Sequence, residues 1–314
     1  MRILFCGNTF PMAPVMTGAR LPSDEIVVCP QNDIRAALDG VDVLVPLMAR
    51  IDRPLIEAGR YRLIQQFGTG LEGVDLEAAR ARGVWVANAA ASAAANAESV
   101  AEHALMLVLA VLRQLPAAQA NIRAGVLGAP LGLALTGRTV CIAGLGAVGR
   151  ALAVRLAPFG VRLIGVTRRP DAQRSAAMGL AACYGFDDRM KAFAAADVLV
   201  LCLPVTSETR GLIDAAALSM LPAEACVVNV ARGGLVEYQA LFEALSSGRL
   251  RGAGLDVFWQ EPIAPDDPLL ALPNVVATAH VAGVTDRSYA GITDAVVDNI
   301  ERLRRGEPPA HRAA

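Results

Sequence analysis

Three ionisable residues in this 314-residue chain each stand just past an apolar run. Arg232 lies in Asn229-Val230-Ala231-Arg232-Gly233-Gly234. Glu261 follows Leu255-Asp256-Val257-Phe258, and His280 closes Val276-Ala277-Thr278-Ala279-His280. Short apolar runs of this kind read as buried parallel strands, and open α/β sheets bind ligands beyond the carboxyl ends of their strands. A histidine, a carboxylate and a guanidinium in that position offer proton transfer and anion binding. The other two histidines are placed differently: His103 falls inside a long apolar helical stretch and His311 in the polar tail.

A second constellation binds phosphate. Gly144-Leu145-Gly146-Ala147-Val148-Gly149 is a complete G-x-G-x-x-G. It follows the apolar strand pattern 139–143 and opens the helical pattern 147–158, which is the context the dinucleotide fingerprint requires. The first glycine makes the tight turn, the second lets the backbone approach a pyrophosphate, and the third lets helix and strand pack closely. The helix N-terminus then presents free N–H groups and the positive end of its dipole. The next strand, 161–166, ends not in the acid that would accept from a ribose 2′-OH but in Thr167-Arg168-Arg169, with no acid before Asp171. A carboxylate would repel a 2′-phosphate, whereas a hydroxyl and two guanidiniums would hold it. NADP is therefore expected in preference to NAD.

These residues need an α/β frame. Strand patterns at 3–6, 26–28, 41–46, 63–67 and 84–87 alternate with helical stretches such as 54–58 and 75–82. A tract of Ala, Ser and Asn at 89–97 leads to Ser99 and Glu102, a capping-box spacing, and to an apolar helix reaching about residue 113, read as a crossing between domains. From 138 a second run begins, with strands at 139–143, 161–166, 197–203, 226–230, 252–257 and 275–278. An amphipathic helix from about 285 to 305 would return to the first half. Residues 307–314 are expected to fray. The fold class is thus α/β, two Rossmann-like doubly wound parallel sheets. A dinucleotide-binding domain of residues 98–285 is inserted into a discontinuous substrate domain of residues 1–97 and 286–314.

Composition excludes several classes. Apolar residues make up 54% and charged residues 19%, which is not the make-up of a disordered chain. Lys+Arg 29 against Asp+Glu 30 leaves a net charge of −1, with no field for nucleic acid or an acidic membrane. Aromatics at 4% provide no stacking platform for bases. Mean hydropathy is +0.43, yet the most apolar stretch, about 104–112, is shorter than a membrane span. The first six residues lack the long apolar region of a signal peptide. Six cysteines form no C-x-x-C motif and read as small core residues of a reducing cytoplasm.

The ordered set of motifs resembles the D-isomer-specific 2-hydroxyacid dehydrogenase family over nearly the whole chain. The resemblance rests on Gly68-Thr69-Gly70 with Gly73-Val74-Asp75, on Ser99-Val100-Ala101-Glu102-His103, and on the loop 144–149. It rests also on 229–234, on Asp256-Val257-Phe258 with Glu261-Pro262, and on His280 with Ala282-Gly283. It implies reduction of a small 2-keto acid, with His280 as proton donor, Glu261 favouring the charged ring, and Arg232 gripping the substrate carboxylate and polarising the carbonyl. Backbone N–H groups of Thr69 and Gly70 would bind the same carboxylate. For the cofactor the resemblance implies Gly144, Gly146, Ala147, Val148, Gly149, Thr167, Arg168 and Arg169. It adds Leu203, Pro204 and Thr209 on the adenine side, and Val230, Arg232, Asp256, His280 and Gly283 around the nicotinamide. It also implies a homodimer through the apolar stretch from 100 to about 133, and no metal.

The chain departs from the family pattern in places. Ala93-Ala94-Ala95 stands where Pro-Gly usually precedes the crossing helix. Pro46-Leu47-Met48-Ala49 stands where phosphoglycerate members carry an arginine, with Arg50 and Arg53 displaced. No regulatory domain is expected after the last helix. Hydroxypyruvate, glyoxylate or a bulkier 2-keto acid is therefore the expected substrate. Glu261 argues against the formate-oxidising relatives, which pair their histidine with Gln. The alternatives are an NAD-dependent phosphoglycerate dehydrogenase or phosphonate-oxidising relative, and a non-catalytic nucleotide-sensing protein of the same fold.

Overall fold

A computed structural model describes residues 1–89 and 95–314. The chain forms two compact units, one of Met1–Asn96 with Val284–Ala314 and the other of Ala97–Gly283. Each is built on a sheet in which every pairing is parallel.

The first sheet comprises β1 (Arg2–Cys6), β2 (Glu25–Cys29), β3 (Val43–Val45), β4 (Leu63–Gln65) and β5 (Trp85–Ala87), in the order β2-β1-β3-β4-β5. Helices α1 (Met12–Arg20), α2 (Arg53–Ala58) and α3 (Leu76–Ala81) connect them. Asp52 and Asp75 cap α2 and α3 by accepting from Leu55 N–H and Ala78 N–H. Two apolar cores result. One holds Leu4, Leu44, Ile64 and Val86. The other holds Ile3, Phe5, Val43 and Leu63, with Ile292, Val296, Ile300 and Leu303 from the final helix of the chain. The outward alternation of each strand thus feeds both faces, as a buried parallel sheet requires.

The second sheet has seven strands: β6 (Thr139–Ala143), β7 (Arg162–Val166), β8 (Ala182–Tyr184), β9 (Val198–Leu201), β10 (Cys226–Asn229), β11 (Gly252–Leu255) and β12 (Val275–Ala277). Their order is β12-β11-β10-β9-β6-β7-β8. The chain runs outward from β6 to β8, then starts again on the other side with β9, so the switch point lies between β6 and β9. Helices α4 (Asn96–Leu112) and α5 (Leu115–Arg123) precede the sheet. Helices α6 (Ala147–Leu156), α7 (Ala172–Ala177), α8 (Arg189–Ala194), α9 (Ala215–Met220) and α10 (Tyr238–Ser246) cover it, and α11 (Asp286–Arg304) returns to the first unit.

Three local expectations are corrected. Helix α4 begins at Asn96, so Ser99 lies inside it and is buried rather than capping it. The tail does not fray. Val86 N–H donates to the Ala314 carbonyl, Ala313 N–H donates to the Val86 carbonyl, and Ala310 N–H donates to Asn299 Oδ1. The open edge of β5 supplies unpaired backbone groups, and the tail satisfies them. Strand β8 gave no sequence signal because Ala-Cys-Tyr is short and only half-buried at the sheet edge. Of the tripeptide 93–95, residues 93 and 94 lie outside the described residues. Ala95 has φ 51, in the left-handed region. No single helix among the described residues is long and apolar enough to cross a membrane; α4 and α5 pass that test only as a pair bent by 58°.

Candidate active site

Arg232, Glu261 and His280 follow β10, β11 and β12, three neighbouring strands of one sheet. Their loops are interlocked. Asn229, buried at the end of β10, accepts from Ala231 N–H at 3.0 Å and donates to the Arg232 carbonyl at 2.9 Å, folding the residues before Arg232 into a tight turn. Gly233 lies so close to the next loop that a Cβ there would stand 2.2 Å from the Phe258 carbonyl. Only glycine permits that approach, and it brings the loops carrying Arg232 and Glu261 together. Arg232 Nη1 also donates to the Ala231 carbonyl at 2.7 Å.

Glu261 is held at both oxygens. Oε1 accepts from Phe258 N–H at 2.9 Å, and Oε2 is 2.6 Å from His280 Nδ1. The two side chains are 16% and 26% exposed, sheltered but reachable. Burial pushes the Glu261 carboxyl up. The hydrogen bond and charge of His280, the Phe258 N–H and the charge of Arg232 outweigh it and hold the group below the usual glutamate value. His280 itself sits at φ 53, left-handed for a residue with a side chain. Its N–H donates to the Asp256 carbonyl at 2.9 Å. The Asp256 side chain, fully buried, accepts from Val281 N–H and Ala282 N–H, each at 2.9 Å, and from the Thr278 hydroxyl at 2.6 Å. Asp256 is thus the anchor of the His280 turn. Nδ1 faces the Glu261 carboxylate, so Nε2 is the ring nitrogen on the side away from it.

The glycine-rich loop lies at the switch point. A Cβ on Gly144 would stand 2.6 Å from the Cys202 carbonyl, and one on Gly149 would stand 2.0 Å from the Gly144 carbonyl oxygen. The first and third glycines are therefore required by the fold itself. Gly146 differs: it is exposed, and a Cβ there would meet nothing within 4 Å. Nothing in the chain demands glycine at that position. A pyrophosphate over the N-terminus of α6 would, because a side chain there would fill the space it needs. Gly146 caps α6 without any side-chain hydrogen bond, and Ala147 and Val148 follow it in the first turn. These are the conditions for phosphate binding at a helix N-terminus.

Beside this loop is a cavity of about 270 Å³ lined by Leu145, Arg150, Thr167, Arg169 and Arg174 among others. Asp171 also lines it, but its carboxylate caps α7 by accepting from Arg174 N–H at 2.7 Å. Arg168 turns instead to Glu208, at 3.4 Å. Arg150 and Arg174 are basic groups that sequence reading missed. Arg150 immediately follows the third glycine, a position from which the signal was available. Leu203 and Val230 are buried and Pro204 is exposed. Thr209 is buried, its hydroxyl donating to the Pro204 carbonyl at 2.7 Å, so it shapes the loop after β9. Gly283 closes the second unit.

In the first unit, Thr69 is exposed and Gly70 half-buried in the loop after β4. The loop is tied by Asn88 Nδ2 donating to the Thr69 carbonyl at 2.7 Å. The turn 46–49 is closed by Ala49 N–H donating to the Pro46 carbonyl, with Leu47 buried. Arg53, at the start of α2, lies 3.6 Å from Glu77.

The sequence profile of the D-isomer specific 2-hydroxyacid dehydrogenase NAD binding domain matches residues 105–282. The D-3-phosphoglycerate dehydrogenase of Mycobacterium leprae is 39% identical over 281 residues, covering 88% of this chain and 52% of that protein. The chain therefore spans about half the length of such relatives. The glyoxylate reductase of Korarchaeum cryptofilum is 34% identical, covering 85% of this chain and 81% of its own. Among solved structures, an NADPH-dependent glyoxylate/hydroxypyruvate reductase from Sinorhizobium meliloti, in complex with NADP and malonate, aligns with a TM-score of 0.85 at 34% identity. That alignment covers 100% of this chain and 96% of that one.

Proposed function

We propose that this chain, which belongs to the D-isomer specific 2-hydroxyacid dehydrogenase family, transfers a hydride between a nicotinamide cofactor and a small 2-keto acid of the glyoxylate or hydroxypyruvate type. The observation that carries the reading is the 2.6 Å contact of Glu261 with His280, on a left-handed turn beside Arg232. The cofactor supplies the hydride. His280 supplies the proton to the carbonyl oxygen, Glu261 orients its ring and favours its charged form, and Arg232 binds the substrate carboxylate and polarises the carbonyl. Thr69 and Gly70 are the substrate-binding residues we assign within the first unit. We assign Ala97–Gly283 to the dinucleotide and the other unit to substrate.

NADPH is the cofactor we favour. Thr167 and Arg169, with Arg150 and Arg174, surround the cavity beside the glycine loop, and no acid ends β7. Pyrophosphate contacts fall to Gly144, Gly146, Ala147, Val148 and Gly149. The remaining cofactor contacts fall to Leu203, Pro204, Thr209, Val230, Asp256 and Gly283. We also propose a homodimer in the cytoplasm. Exposed apolar side chains gather on the segment 115–131, with Ile122 76% and Leu127 92% exposed, and all six cysteines are unpaired. The lack of an arginine in the turn 46–49 favours an unphosphorylated substrate over phosphoglycerate.

The test is steady-state oxidation of NADPH and NADH with glyoxylate, hydroxypyruvate, phenylpyruvate and a phosphorylated 2-keto acid. Turnover with unphosphorylated substrates, faster with NADPH, supports the reading. Nucleotide binding without turnover of any substrate overturns it in favour of a sensing protein.

A further inference from the structure

His103 takes no part in the reaction outlined above, yet it is built into its floor. Its ring lies on α4 and is 14% exposed. Nε2 is 2.9 Å from Thr278 Oγ1 and 3.4 Å from Asp256 Oδ1. Thr278 has one hydroxyl proton and gives it to Asp256 at 2.6 Å. The threonine oxygen can therefore only accept from His103, so His103 donates through an Nε2–H. A relay of donors runs from His103 through Thr278 to the Asp256 carboxylate, which also accepts from Val281 N–H and Ala282 N–H, while the Asp256 backbone carbonyl accepts from His280 N–H.

The packing register makes this contact specific. Residues 103, 107 and 111 recur every four along one face of α4. Residues 252, 254 and 256 recur every two along one face of β11 and its extension. A Cβ on Gly252 would lie 3.0 Å from Val111 Cγ1, and one on Gly254 would lie 3.0 Å from Leu107 Cβ. The two glycines let α4 sit down on β11, and His103 then meets Asp256 one step further along the same pair of rows.

We propose that His103 is a positioning residue for His280, acting through Thr278 and Asp256 to hold the left-handed turn that points the ring at Glu261. The proposal rests on the assigned role of His280. Burial lowers the pKa of His103 against the opposing charge of Asp256, which keeps the ring a neutral donor near neutrality. Among the described residues, the charged and titratable groups around His280 include Glu261, Arg232, whose charge reaches Glu261, the Asp256 carboxylate and His103 behind Thr278.

The test exploits the three histidines of the chain, whose labelled rings give three assignable NMR signals. Thr278→Val breaks the relay with little change in shape. His103→Phe removes the donor, and His103→Gln keeps one. The expected result is that Thr278→Val and His103→Phe displace the His280 titration in the direction that Glu261→Gln displaces it. They lower kcat by up to about 10²-fold, as misplacement of a catalytic group can. The double variant loses no more than either single one, since both cut the same relay, and His103→Gln retains the wild-type titration. Loss of thermal stability with the His280 titration and kcat unchanged overturns the proposal, because that is what a purely structural histidine gives. Should His103→Phe fail to fold, Thr278→Val and His103→Gln decide. Should the wild type turn over no 2-keto acid, the functional reading falls, while the His280 titration still settles the role of His103.

Discussion

His280 and Glu261 share one contact, so their variants should differ in kind from those of Arg232. His280→Ala loses the positioned acid, and reduction should fall roughly 10²–10⁴-fold at every pH. Arg232→Ala should raise KM and lower kcat together, because the guanidinium serves both binding and the transition state. His103 makes a separate prediction about stability. Its pKa is depressed below the ordinary histidine value of 6.5. The unfolded chain therefore binds a proton at higher pH than the native one does. The stabilising contribution is present above pH 6.5 and lost as pH falls through the folded value. Thermal melts from pH 7.5 to 5 should show wild type losing stability more steeply than His103→Gln. Equal slopes would contradict this. The residue types at 232, 261 and 280 were legible because each follows a clear strand. The partners of Asp256 were not, because no sequence spacing tells that a carboxylate turns under the backbone of residues 280–282.

The elements were legible where burial imposed a pattern. The central strands of both sheets follow from apolar runs. The edge strand β8 and the short helices α7 to α9 carry weaker signals, since partial exposure removes the constraint that writes the pattern. Ser99 misled because its capping-box spacing with Glu102 competes with a helix that starts one turn earlier at Asn96. Gly252 and Gly254 were invisible as spacers because their meaning depends on α4, about 140 residues earlier in the chain. At this scale the prediction is Gly254→Ala. The added Cβ meets Leu107 at a separation tighter than ordinary packing, and forcing α4 away should cost about 1–3 kcal/mol. Chemical denaturation measures that loss. No change in midpoint would mean that the helix does not depend on the glycine to reach the strand.

At the scale of the molecule, the α/β class and its two parallel sheets were legible because alternating strand and helix patterns leave few other architectures. The tail was misread, because polarity alone does not reveal an open sheet edge waiting to be paired. The apolar segment 115–131 is where the proposed dimer contact is placed. Helix α4 is mostly buried in its own unit, though Met106 on it is exposed, and further exposed apolar side chains follow at Leu115, Ile122, Val126, Leu127 and Leu131. Light scattering at micromolar concentration should give twice the chain mass of 32.8 kDa. A monomer would contradict the proposed dimer, and Ile122→Lys with Leu127→Lys should produce one. The central claim, that His280 donates a proton with Glu261 supporting its charged ring, is tested most directly by the pH dependence of 2-keto acid reduction in wild type and Glu261→Gln. Both rates should fall as pH rises and the donor empties. With the carboxylate gone, that fall should come at lower pH, leaving Glu261→Gln substantially active in acid and weak near neutrality. A Glu261→Gln profile that overlies the wild type would contradict the pairing.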